Sequence, residues 1–134
     1  MKTILIAYLS SIISLAMLDF AWLSIMFERI YKPSMANILA EKMSFAPAIV
    51  FYLLYAGGVV GLVILPALKH EWNLGHVLMM ACLLGAVAYG TYDLTNQATL
   101  KDWSTTMTII DIAWGATLTT IVSGVAWWIS RTFQ

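Results

Sequence analysis

Residues 46–98 read APAIVFYLLYAGGVVGLVILPALKHEWNLGHVLMMACLLGAVAYGTYDLTNQA, two long apolar runs separated by a short polar stretch. Each run is close to the roughly 20 residues that an α-helix needs to cross about 30 Å of hydrocarbon. The polar stretch between them, residues 69–73, is too short for anything except the turn of an antiparallel hairpin. This part of the chain therefore predicts two membrane-spanning helices joined by a tight turn.

One further apolar run precedes this hairpin and another follows it. The predicted spanning helices cover residues of about 3–27, 46–68, 74–98 and 103–130. The chain has 134 residues, of which 61% are hydrophobic and 10% are charged, whereas a soluble domain carries about 25% charged residues. Little chain remains outside the four runs, so we predict one domain over residues 1–134, an all-α integral membrane four-helix bundle.

The first loop is the one connection long enough to hold structure of its own. Pro33 suits the first turn of a helix, and the apolar residues after it would share one helical face. We therefore expect either a short interfacial helix over about 33–43 or an ordered loop there.

Charge and cysteine content exclude several classes of protein. The formal net charge is zero and no basic cluster is present, so we expect no nucleic acid as a partner. Cys82 is the single cysteine, which permits neither an intrachain disulfide nor a thiolate metal site. We expect no metal site and no cofactor, and the lipid bilayer is the first partner that the composition predicts.

Three aspartates, Asp19, Asp93 and Asp111, lie inside the predicted spanning helices. A carboxylate at the bilayer centre costs about 2.5–3.5 kcal/mol, so such residues usually face a protein interior, a water cavity or a ligand. Counting from the predicted helix ends puts all three roughly 7–12 Å below the surface that carries the first and third loops. The sequence therefore predicts a polar site within one leaflet, although aspartates that merely lock helices together are the alternative.

Aromatic and amide side chains accompany these aspartates at similar depth or on the same helical faces. Asp19-Phe20-Ala21-Trp22 and Asp111-Ile112-Ala113-Trp114 repeat an Asp–Trp spacing on two antiparallel helices, a pattern that chance or a faint inverted repeat would produce. The predicted ligand-binding residues are Asp19, Trp22, Tyr52, Tyr55, Tyr89, Tyr92, Asp93, Asn96, Asp111 and Trp114.

A glycine pair on the second predicted helix favours close helix packing. Gly57 and Gly61 form a GxxxG pattern, which lets two helix backbones approach each other. The approach would be made either within the chain or across a homodimer.

The last third of the chain carries a distinctive combination of residues. YDLTNQATL at residues 92–100 is followed by Trp103 and then by DIAWG at residues 111–115. The chain resembles a bacterial family of small four-helix membrane proteins catalogued as domain of unknown function 2177. The resemblance extends over essentially the whole chain, including Asp19 and Trp22. It implies an integral protein of the bacterial cytoplasmic membrane and no particular activity.

Three functions fit these features. In the first, the acidic and aromatic residues bind or transport a small cation, an amine-bearing molecule or a lipid head group, with cation–π contacts from the aromatic rings. In the second, the protein is an intramembrane lipid-modifying enzyme with Asp93 and Asp111 as paired acid and base. It would work without a Ser–His or Cys–His nucleophile pair. In the third, the chain is an accessory subunit whose acidic face docks a basic residue of another membrane protein.

Overall fold

The computed structural model describes residues 1–36 and 38–134, and its described secondary structure is helical throughout. Four helices are long and apolar enough to cross a membrane. They are α1, Lys2–Met35; α2, Phe45–Lys69; α3, Leu74–Thr99; and α4, Thr105–Thr132. The predicted all-α four-helix membrane bundle is confirmed.

The helices pack unequally around the bundle. α3 and α4 form the most extensive pair, α4 also packs along α1, and α1 packs on α2. α2 and α3 follow one another in the chain, yet α2 approaches α3 closely mainly over Val60–Ile64. The other half of α2, Phe45–Val59, stands away from α3. The bundle is therefore open on one side, towards the first loop.

The outer surface and the core divide as expected for a protein surrounded by lipid. Large apolar side chains such as Phe20 and Leu54 point outward, with 74% and 71% of their surface exposed. The main core lies in the half of the bundle near the second loop, where Val59, Ile64 and Leu118 are fully buried. This distribution leaves the half near the first loop less densely filled with apolar side chains.

The close helix approach in this fold depends on glycines other than the predicted pair. A Cβ atom added to Gly85 would overlap the Gly115 carbonyl of α4, and one added to Gly115 would overlap the Tyr89 ring of α3. By contrast, an added Cβ on Gly61 would meet nothing within 4 Å, and on Gly57 it would reach only Tyr8 at 4.0 Å. Within the chain, the close helix contact is therefore made between α3 and α4, and the GxxxG pattern of α2 does not take part in it.

Two of the helices contain a π-helical segment, and each segment ends two residues before a proline. The segments are Phe27–Tyr31, before Pro33, and Val60–Ile64, before Pro66. Proline has no N–H to donate and its ring clashes with the carbonyl four residues back. The wider π turn relieves this clash without ending the helix. α1 therefore continues past its predicted end near residue 27, whereas α2 ends at Lys69, close to its predicted end near residue 68.

The first loop differs from the predicted interfacial helix. Residues 33–35 belong to the last turn of α1, and no helix is present between Ile38 and Ser44. Asn37, inside the predicted segment, lies outside the described residues. The physical reason is that Pro33 sits within α1 after its π-helical turn, so it does not begin a new helix. The described residues 38–44 therefore form a loop rather than a helix.

Candidate functional site

A cavity of about 420 Å³ lies between all four helices, in the half of the bundle near the first and third loops. Two carboxyl groups, those of Asp19 and Asp111, are the charged groups on its wall. The rest of the wall is aromatic or apolar. The lining consists of Asp19, Leu23, Tyr31, Phe51, Tyr55, Ala88, Tyr89, Tyr92, Asp111 and Trp114.

The Asp19 carboxyl group is held by donors from two other helices. Tyr52 of α2 donates its hydroxyl to Oδ2 at 2.6 Å, and Trp114 of α4 donates its indole N–H to Oδ1 at 3.1 Å. Asp19 itself is only 8% exposed. Because both donors are neutral, they orient the carboxyl group without cancelling its charge.

The Asp111 carboxyl group is held in a similar way, but the donor comes from the end of α1. Tyr31 donates its hydroxyl to Asp111 Oδ1. The same hydroxyl oxygen accepts the indole N–H of Trp22 at 2.9 Å. Asp111 is 7% exposed and Tyr31 is 9% exposed. The hydrogen bonds from Trp22 to Tyr31 and from Tyr31 to Asp111 therefore connect the end of α1 to α4.

The two tryptophans stack on each other between α1 and α4. Their ring centroids are 4.2 Å apart and their planes differ by 6°. Each indole N–H serves the aspartate of the other helix, Trp114 directly to Asp19 and Trp22 through Tyr31 to Asp111. The repeated Asp–Trp spacing thus forms a crossed arrangement in space, with one tyrosine donor for each aspartate.

Asp93 does not line this cavity. It is fully buried on α3, and neither carboxyl oxygen has a hydrogen-bond partner among residues 1–36 and 38–134. Gly90 lies near Ile112 on one side of it, and Gln97 donates to Thr105 at 2.9 Å on the other. These contacts place Asp93 between α3 and α4, beside the cavity rather than in its wall.

The predicted site residues apart from Asp93 fall into three groups. The cavity wall includes Tyr55, Tyr89, Tyr92 and Trp114 together with the two aspartates Asp19 and Asp111. Trp22 and Tyr52 stand behind the wall as hydrogen-bond donors. Asn96 is half-buried away from the cavity, where its backbone carbonyl accepts Leu100 N–H at the end of α3.

Tyr31 is the functional candidate that sequence reasoning missed, because it fell in the predicted first loop. In an uninterrupted α-helix, Tyr31 would lie about 2.5 turns beyond Trp22, on the opposite face. The π-helical turn Phe27–Tyr31 changes that phase. The signal available in the sequence was the run of helix-compatible residues that continues to Pro33.

Tyr55 has a further polar contact that the sequence did not indicate. Its hydroxyl oxygen lies 2.6 Å from the Thr119 hydroxyl, which also donates to the Gly115 carbonyl. This contact fixes the ring of Tyr55 against α4. Within the part of the chain that the structure describes, no three His, Cys, Asp or Glu side chains form a group that could hold a metal ion.

Fold and site together define an integral membrane protein of four spanning helices with an acidic, aromatic cavity inside the bundle. The model of one protein family matches residues 4–128, and the family is described as "Predicted membrane protein (DUF2177)". The chain belongs to this family, as its motifs indicated. Neither the curated proteins nor the solved structures contain a match to the chain.

Proposed function

We propose that the protein binds a small organic cation, of the amine-bearing kind, in the cavity between its four helices. The observation that carries the proposal is the pairing of Asp19 and Asp111 in one cavity whose lining includes no basic side chain. Two acidic groups without a cationic partner of their own favour a positively charged occupant. Inside a membrane protein, where water is scarce, that attraction is stronger than in solution.

The aromatic walls support an organic cation over a bare metal ion. Trp114, Tyr89 and Tyr55 present ring surfaces to the same space as the carboxyl groups. Aromatic faces attract ammonium groups and also accommodate the alkyl part of an amine. A small inorganic ion would use the carboxylates and leave most of a 420 Å³ cavity without a partner.

The packing beneath the cavity supports binding rather than open passage. Val59, Ile64, Leu118 and Val122 are fully buried in the half of the bundle near the second loop. A ligand in the cavity would meet this apolar core before it reached the other membrane surface. Flux across the membrane would therefore require the helices to rearrange.

Thermal unfolding of the detergent-purified protein tests the proposal, with butylammonium as the probe and 1-butanol as its neutral counterpart. Butylammonium is expected to raise the unfolding temperature with its concentration, because a ligand of the folded state alone stabilises that state. The neutral alcohol is expected to give no such shift. Asp19→Asn and Asp111→Asn each remove one cavity carboxyl group and are expected to weaken binding by roughly tenfold or more.

Two matched variants control for the loss of an aspartate as such. Asp102→Asn changes an exposed loop residue with a φ of 62°, a conformation that asparagine adopts readily. Asp93→Asn changes the buried aspartate outside the cavity wall. Both are expected to bind butylammonium like the wild type. The proposal is wrong if butylammonium gives no shift, or if Asp111→Asn and Asp102→Asn respond alike.

A further inference from the structure

An apolar groove of about 280 Å³ adjoins the cavity on the open side of the bundle, between α2 and α3. Phe51, Tyr55 and Ala88 line both the cavity and the groove. From there the groove follows α2 past Gly58 to Val59, a distance of about 12 Å from Phe51 along the helix axis. Cavity and groove therefore adjoin through three shared wall residues, with the acidic groups in the cavity and an apolar lining in the groove.

The groove faces the lipid rather than the water. It lies where Phe45–Val59 stands away from α3, and Leu54 on its edge is 71% exposed. Tyr55 is the one polar side chain on its wall, and the Tyr55 hydroxyl is already engaged by Thr119. A molecule dissolved in the bilayer could therefore move sideways from the membrane into this space.

We infer that the ligand is a cationic amphiphile, with its ammonium group at Asp19 and Asp111 and its hydrocarbon chain in the α2–α3 groove. This inference rests on the proposed function and adds the chain and its path. Because the ligand enters from lipid, the affinity contributed by its hydrocarbon chain comes from van der Waals contacts with the groove walls rather than from removal of the chain from water. The attraction of the ammonium group to Asp19 and Asp111 makes binding specific for a cationic ligand.

Charge complementarity selects an amine without a phosphate. Phospholipids with amine head groups also carry a negatively charged phosphate, and the lining of cavity and groove offers it no lysine or arginine. A phosphate held near two aspartates would be repelled by them. The occupant is therefore a long-chain amine and not a phospholipid.

Gly58 provides a way to fill the groove without touching the cavity. A Cβ atom added to Gly58 would meet nothing within 4 Å, and Gly58 lines the groove but not the cavity. Gly61 on the same helix also has nothing within 4 Å and lines neither space. Gly58→Leu and Gly61→Leu are thus a matched pair that differ in whether the new side chain occupies the groove.

The experiment compares butylammonium, decylammonium and lysophosphatidylethanolamine on the wild type and these two variants, in one nonionic detergent. Every variant meets the same micelles, so the partition of each ligand into detergent cancels between variants. Decylammonium is expected to bind Gly58→Leu roughly tenfold more weakly than the wild type, since the leucine side chain would occupy the space of several methylene groups and remove their van der Waals contacts with the groove. Gly61→Leu is expected to match the wild type, and butylammonium is expected to bind all three proteins alike.

The outcomes separate this inference from the proposed function. If no ammonium ligand binds, the proposed function fails and this inference fails with it. If butylammonium binds but decylammonium binds Gly58→Leu as tightly as the wild type, the hydrocarbon chain of the ligand lies elsewhere. In that case this inference alone is wrong. Lysophosphatidylethanolamine binding as tightly as decylammonium would also overturn it. Leu84→Trp, on the α3 wall of the groove, replaces Gly58→Leu if that variant does not fold.

Discussion

At the scale of single residues, each cavity aspartate depends on a tyrosine from another part of the chain. Tyr52 reaches Asp19 from α2, and Tyr31 reaches Asp111 from the end of α1. The Tyr31 hydroxyl also accepts from Trp22, so it joins three side chains. Removal of this hydroxyl would leave the buried Asp111 and the half-buried Trp22 without this partner.

Tyr31→Phe is therefore expected to lower the free energy of unfolding by about 1–3 kcal/mol, the usual cost of an unsatisfied buried polar group. The matched control is Tyr92→Phe, since Tyr92 lines the same cavity and its hydroxyl makes no hydrogen bond to another described residue. The free energy of unfolding of both variants is measured by unfolding in mixed micelles of increasing SDS content. Equal stability of the two variants would contradict the assigned network.

The sequence predicted the part of this site that regular helix geometry determines. Depth and helical phase indicated Asp19, Asp111, Tyr55, Tyr89 and Trp114, because these depend only on regular helix geometry. Regular geometry fails at Tyr31, where the π-helical turn changes the phase. It also cannot separate Asp93 from the cavity, since depth alone does not say which side of α3 a residue faces.

At the scale of the helices, two prolines and two glycines determine where the site lies. The π-helical segments before Pro33 and Pro66 let α1 and α2 continue, which carries Tyr31 to the site. Gly85 and Gly115 let α3 and α4 approach until the Tyr89 ring rests on the backbone of α4. The sequence contains all four residues. It did not show that α1 would continue past Pro33, or that Gly85 and Gly115 would make the close helix contact.

Gly115→Ala is expected to destabilise the protein by about 1–3 kcal/mol, the typical cost of overpacking. The new methyl group would overlap the Tyr89 ring, which is also part of the cavity wall. Butylammonium binding is expected to weaken together with stability. Gly58→Ala introduces the same methyl group where nothing lies within 4 Å, and thermal unfolding should show it to be as stable as the wild type. Similar losses in both variants would argue against the close contact between α3 and α4.

At the scale of the whole molecule, the bundle has two unlike halves. The half near the second loop contains the packed core, and the half near the first and third loops contains the cavity. Lys2 lies 5.8 Å from the ring of Phe133, so the two chain ends meet on the core side. The cavity should therefore communicate with water from one membrane surface only.

Single cysteines in a Cys82→Ala background test this sidedness in sealed proteoliposomes, with a membrane-impermeant maleimide. Tyr92→Cys on the cavity wall is expected to react from the same side as Lys101→Cys in the third loop. Lys69→Cys, at the end of α2, is expected to react from the opposite side. Labelling of Tyr92→Cys from the side of Lys69→Cys would show that the core does not close the cavity.

The four spans and their hairpin order followed from the sequence, because the need to bury backbone polar groups leaves a membrane chain few alternatives to helices. The open side between α2 and α3 did not follow. A five-residue turn predicts that its two helices are neighbours, but not that they separate over Phe45–Val59. That separation depends on how α1 and α4 pack against the other two helices. The spacing of apolar residues along the sequence does not specify this packing.

The stack of Trp22 on Trp114 also has an optical consequence. Two indoles with centroids 4.2 Å apart and planes within 6° of parallel couple their electronic transitions. The pair should then give an exciton signal in circular dichroism that the other four tryptophans, which have no stacked indole neighbour among the described residues, do not share. Since the stack exists only when α1 and α4 are joined at the site, the protein has a built-in, label-free spectroscopic reporter of that junction.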